Sequence, residues 1–149
     1  MKFLATTVSL FIAGFLFSSF KFHSTNGNLK IRIDNVQVEK GTIWIGLYSS
    51  KKDFLNKEKA IIKGVKVEKN GSHYVEIPQL AYGAYAVAIF QDVNDNGELD
   101  LNFVGIPSEP FAFSKPPKSK WRLPKFDEVK FHFYRKKQTL ITKLKKWWD

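Results

Sequence analysis

An all-β fold is predicted by three features of the sequence. Short stretches alternate apolar and polar residues with the period of two that suits a half-buried strand. Turn signals such as Asn26-Gly27, Glu39-Lys40-Gly41 and Lys69-Asn70-Gly71 separate these stretches. Beyond residue 24 little of the chain carries a helical period.

The chain opens on Met1-Lys2 and an apolar run from Phe3 to Phe20, the pattern of an export signal. No pair of small residues closes the run. Residues 1–24 therefore read as a signal peptide or a retained N-terminal anchor, and 25–149 as one domain that is periplasmic or extracellular. With 44% hydrophobic residues, 14 Phe and 4 Trp, the chain can bury a core. It has no cysteine, which excludes disulfides, thiolate metal sites and thiol nucleophiles.

Leu29, Ile31 and Ile33 alternate with Lys30, Arg32 and Asp34, and after Gly41 so do Ile43, Ile45 and Leu47 with Trp44, Gly46 and Tyr48. Phe54 and Leu55 give the polar stretch 49–59 an apolar tether. A third strand covers Ile61 to Glu68. Asn70-Gly71 then predicts a type I′ hairpin to a partner strand from His73 to Ile77, stopped by Pro78. The run after Gly83 is apolar on both faces, small (Ala84, Ala86, Ala88) on one and large (Tyr85, Val87, Ile89) on the other, as in a central strand covered twice. Phe126 to Tyr134, with Val129, Phe131 and Phe133 inward, and Thr139 to Leu144 complete the set. Together these predict a single antiparallel Greek-key β-sandwich of about seven strands, immunoglobulin- or transthyretin-like, with a barrel as the competing closure.

A long acidic loop follows the central strand. Between Asp92 and Glu109 stand five acids and no base, whereas from Lys115 to Asp149 there are 12 Lys/Arg against 3 Asp/Glu. The net charge of +10 is thus largely a C-terminal property. Asp92-Val93-Asn94-Asp95-Asn96-Gly97-Glu98-Leu99-Asp100 has the D-x-N-x-N-G-x-x-D spacing of a calcium loop. Hard Ca²⁺ takes six to eight oxygens, here from the side chains of Asp92, Asn94, Asn96 and Asp100 and the main-chain carbonyl of Glu98. Gly97 supplies the sharp turn, and Asp95 falls between ligand positions and is expected to face solvent. Phe103 occupies the position where a helix-flanked loop carries its bidentate Glu, so Glu109 is expected to complete the shell. Affinity should then be about 10⁻⁴–10⁻³ M, the range of extracellular modules. Asn96-Gly97 alone also suits a plain hairpin turn, and the two readings are compatible.

The run from Gly83-Ala84-Tyr85-Ala86-Val87 through this loop to Gly105-Ile106-Pro107-Ser108-Glu109-Pro110-Phe111-Ala112-Phe113-Ser114 resembles the bacterial domain-of-unknown-function family number 2141, as does Leu123-Pro124-Lys125-Phe126. That family's pattern is G-x-Y-A-x-x-x-x-x-D-x-N-x-N-G-x-x-D, then G-x-P-x-E-x-x-G-F-S. Ala112 stands where the pattern has Gly. The resemblance implies an exported bacterial protein with a small all-β domain, and no activity.

Other chemistry finds little support. His23, His73 and His132 have neither metal nor triad spacing, and Ser108 and Ser114 lack a nucleophile elbow. Trp44, Trp121, Phe111 and Phe113 suit either an aromatic ligand platform or the packed ends of a sandwich. The tail Lys143-Leu144-Lys145-Lys146-Trp147-Trp148-Asp149 is expected either to contact an anionic membrane or a partner through Lys143, Lys145, Lys146, Trp147 and Trp148, or to pack over the domain. Export argues against nucleic acid. The expected role is a non-catalytic, calcium-stabilised module that binds a protein, small ligand or envelope surface. The rivals are a membrane-held structural envelope protein and a metal-assisted hydrolase.

Overall fold

The computed structural model describes residues 25–149; the export segment expected over residues 1–24 lies outside the described residues. Among the described residues, eight strands form two sheets: β1 (Asn26–Val36), β2 (Thr42–Tyr48), β3 (Ile61–Lys66), β4 (Gly71–Ala81), β5 (Gly83–Asp92), β6 (Phe111–Phe113), β7 (Phe131–Phe133) and β8 (Lys137–Lys143). One sheet has the order β4-β1-β8 and the other β3-β2-β5-β6, with β7 also paired to β5. Among the described residues no helix is long and apolar enough to cross a membrane.

The alternation read from the sequence decides which face each strand buries. Leu29, Ile31 and Ile33 of β1, Ile43, Ile45 and Leu47 of β2, and Tyr85, Val87 and Ile89 of β5 all enter one core between the sheets. Each fully buried aliphatic side chain there contributes roughly 1.5–3 kcal/mol. The small face of β5 is covered as well. Ala86 packs with Tyr48, Phe126 and Val129, against which Phe54, Leu55 and Ala88 lean. Phe54 meets Tyr48 and Phe126 edge-to-face, so the expected tether closes over the outside of this sheet.

Four expectations about connectivity are corrected. The pairing is not wholly antiparallel, because β8 lies parallel to β1, from Asn28↔Lys137 to Asp34↔Lys143. No turn joins these two strands, so nothing local imposes the antiparallel sense. Asn70-Gly71 does not make a hairpin: β3 pairs with β2 and β4 with β1, and the chain changes sheets here. Gly71 alone takes a positive φ, of 106°. Pro78 does not stop its strand. Gln79 turns left-handed (φ 52°) and the β1–β4 register slips between Leu29↔Ile77 and Gly27↔Leu80, so a bulge on an edge strand absorbs the missing N–H. Finally, Phe126–Val129 is a helical turn, α1, rather than strand. Its apolar residues are three apart, which puts both on one helical face, whereas Phe131 and Phe133 return to the spacing of a strand.

Candidate functional site

The acidic loop grows from the last residue of β5. Asp92 pairs with Thr42 of β2 and is only 1% exposed. Its Oδ1 accepts the Asn96 N–H at 3.0 Å, and its Oδ2 accepts the Gly97 N–H at 2.7 Å and the Trp44 indole N–H at 3.2 Å. The backbone bends around this carboxylate through two left-handed residues, Asp95 (φ 59°) and Gly97 (φ 82°). Behind it, Gly41 (φ 81°) lies so close that a Cβ there would collide with the Asp92 carbonyl oxygen.

Asn94 Oδ1 accepts the Asn96 N–H at 3.2 Å, and Asn96 Oδ1 accepts the Glu98 N–H at 2.8 Å. Both amide groups turn towards Asp100, Asn94 Nδ2 donating to Oδ2 at 2.7 Å and Asn96 Nδ2 to Oδ1 at 2.9 Å. Glu109, also buried, does not lie apart from the loop. Its Oε1 accepts the Val93 N–H at 2.7 Å and its Oε2 the Asp100 N–H at 3.1 Å. Glu98 is exposed and stands 3.8 Å from Lys57. The structure thus brings Asp92, Asn94, Asn96, Asp100 and Glu109 into one hydrogen-bonded unit and leaves the Glu98 side chain outside it.

Asp95 is exposed as expected but is not free. It accepts from Thr42 Oγ1 at 2.8 Å and from Lys66 Nζ at 2.6 Å, and the Lys66 hydrogen bond, followed by that of Thr42, holds its carboxyl below the usual range. The five acids therefore divide. Asp95 and Glu98 have lysine partners, whereas Asp92, Asp100 and Glu109 are matched only by N–H donors among the described residues. No cluster of three or more acidic or histidine side chains suited to a metal is assembled among the described residues. The side-chain oxygens of this unit are the carboxylates of Asp92, Asp100 and Glu109, each already accepting N–H groups, and the amides of Asn94 and Asn96. That donor set is all hard oxygen and fits calcium in kind. The Trp44, Thr42 and Lys66 contacts come from paired strands distant in sequence, and no local signal could have announced them.

Beyond Asp100 the loop closes on itself. Leu101 bridges to Pro107, and Asn102 Oδ1 accepts the N–H groups of Val104 and Ile106. This turn holds Phe103 out at 99% exposure.

The chain matches, over residues 31–142, a family described as an uncharacterized protein conserved in bacteria (DUF2141). It belongs to that family. The DUF2141 match runs from Ile31 in β1 to Thr142 in β8 and so takes in both sheets and the whole acidic loop. Ala112, the departure from the family pattern, sits in β6 without a left-handed backbone, so a side chain is accommodated there. No curated protein and no solved structure matches the chain.

The C-terminal residues lie past the DUF2141 match. Leu144 is buried in the core, and its N–H donates to Asp34 O. Lys145 and Phe111 exchange backbone hydrogen bonds at 2.9 and 3.0 Å, so the chain leaves the sheet of β8 and joins the edge of β6. Trp147 is half-buried, its ring centroid 6.4 Å from that of Phe111 and 5.7 Å from that of Trp121. Lys143, Lys145, Lys146 and Trp148 remain exposed.

Proposed function

We propose that this protein is an exported, non-catalytic binding module whose acidic loop is stiffened by calcium. The fold reading that accompanies it is an immunoglobulin- or transthyretin-like Greek-key β-sandwich, supported by two sheets sharing one core. One observation carries the calcium reading. Asp92, Asp100 and Glu109 belong to one hydrogen-bonded loop and have N–H donors as their only partners among the described residues, while the neighbouring Asp95 and Glu98 have lysines. Unbalanced carboxylates held in a preformed turn favour a cation. Calcium would be held by Asp92, Asn94, Asn96 and Asp100 with the Glu98 carbonyl. Glu109 supports that set by fixing the Val93 and Asp100 amides.

Calcium titration against melting temperature tests this. With a dissociation constant of about 10⁻⁴–10⁻³ M, roughly 10 mM calcium stabilises the native state by about 1.4–2.7 kcal/mol, a rise of several degrees. A melting temperature indifferent to calcium at that concentration overturns the reading.

A further inference from the structure

The C-terminal tail packs beside a second basic segment that sequence alone does not connect to it. Residues 115–125, between β6 and α1, contain five Lys/Arg and no acid. Trp121 of this segment meets Trp147 edge-to-face, and Lys120 Nζ lies 5.9 Å above the Trp147 ring. Arg122 is engaged by Glu128, at 2.6 and 3.1 Å, and anchors the segment to α1. Its lysines are not so engaged. Lys115, Lys118, Lys120 and Lys125, like Lys145 and Lys146 of the tail, form no ion pair among the described residues. Amid these charges Trp121, Leu123 and Trp148 are 77%, 75% and 76% exposed.

We propose that this face docks on an anionic phospholipid bilayer. The proposal rests on the reading of the chain as a binding module and names the partner. Charge and polarity decide the occupant together. Unpaired lysines match anionic headgroups, and indole rings suit the headgroup boundary. A soluble polyanion would satisfy the lysines but offers no hydrocarbon phase for Leu123 and two exposed indoles. The surface is already built. Leu144 in the core, the Lys145–Phe111 hydrogen bonds and the Asp149 carboxylate accepting the Lys146 N–H at 2.8 Å hold the tail in place, so docking requires little ordering.

The test is cosedimentation of the full chain with phosphatidylglycerol-containing vesicles and with pure phosphatidylcholine vesicles. EDTA is present throughout, so that the calcium loop takes no part. Binding should require the anionic lipid and fall steeply between about 50 and 500 mM salt. The lysines contribute roughly fivefold each, so K118E/K120E should weaken it at least about 25-fold. W121A/W148A should weaken it as well, and both double variants should still unfold cooperatively, with melting temperatures lowered by no more than the lost Trp147 contacts account for. Brominated lipid should quench tryptophan emission in the parent and less in W121F/W148F. Equal binding to both vesicle types, or undiminished binding of the two double variants, would assign attachment to another part of the chain and overturn the proposal. So would capture by a duplex oligonucleotide without vesicle binding. The calcium melting experiment is independent, so either reading can fail alone.

Discussion

Glu109 closes the acidic loop on Asp100: its Oε2 accepts the Asp100 N–H at 3.1 Å, while its other oxygen takes the Val93 N–H at 2.7 Å. One buried carboxylate thus joins the two ends of a segment whose own side chains are mutually hydrogen-bonded. Glu109→Gln should be destabilising, since its amide nitrogen would face one of the two N–H donors. A loss of about 1–3 kcal/mol is expected from urea denaturation in calcium-free buffer.

Two substitutions separate the loop's structure from its cation chemistry. Asp92→Asn leaves an NH₂ group among three N–H donors. It should cost about 1–3 kcal/mol without calcium and abolish the calcium shift. Asn94→Ala removes an exposed oxygen donor whose hydrogen bonds lie at the surface, so its cost without calcium should be about 1 kcal/mol or less. If the loop holds the metal, this variant still loses most of the calcium-induced rise in melting temperature.

Gly41 and Gly97 share a left-handed backbone and differ in surroundings. A Cβ at Gly97 meets open space, and Gly97→Ala should cost only the conformational term of about 1–2 kcal/mol. A Cβ at Gly41 would collide with the Asp92 carbonyl oxygen, so Gly41→Ala should cost clearly more. Comparing the two denaturation midpoints checks the order.

Acid should weaken the fold through Asp34 and Asp127. Hydrogen bonds from Arg32 and then Ser72 lower the Asp34 carboxyl to about 2, and those from Lys130 and then Lys51 do the same for Asp127. The unfolded chain takes up its protons near 3.8, before the folded protein does. Their contribution is therefore complete above that value and is lost as the pH falls from about 4 through about 2. Melting curves across this window should show the decline, and Asp34→Asn should flatten part of it.

The tail cannot be deleted to test membrane binding without harming the fold. Leu144→Ala should cost about 2–5 kcal/mol, as expected for a leucine lost from a packed core. Removal of residues 143–149 should cost more, because the Lys145–Phe111 hydrogen bonds go with it. Chemical denaturation of both variants measures the difference.

The sequence by itself determined most of the strands and the faces they bury, though not the helical turn at Phe126–Val129 or the short strand β6. Period-two alternation in Leu29–Ile33 and Ile43–Leu47, and the two-sided run after Gly83, are local patterns fixed by the geometry of a strand. It also marked Asp92, Asn94, Asn96 and Asp100 as one unit, since the spacing that brings their side chains together lies within nine residues. Tertiary structure decided what those elements meet. Asn70-Gly71 carries a hairpin signal, yet the pairing of β3 with β2 and β4 with β1 sends the chain to the other sheet. The parallel β8, the Trp44 indole on Asp92, the Lys66 partner of Asp95 and the Trp121–Trp147 contact all join residues at least 26 positions apart. Such contacts are chosen by the burial of the whole core and the entropy of closing long loops, and no short stretch of sequence encodes either.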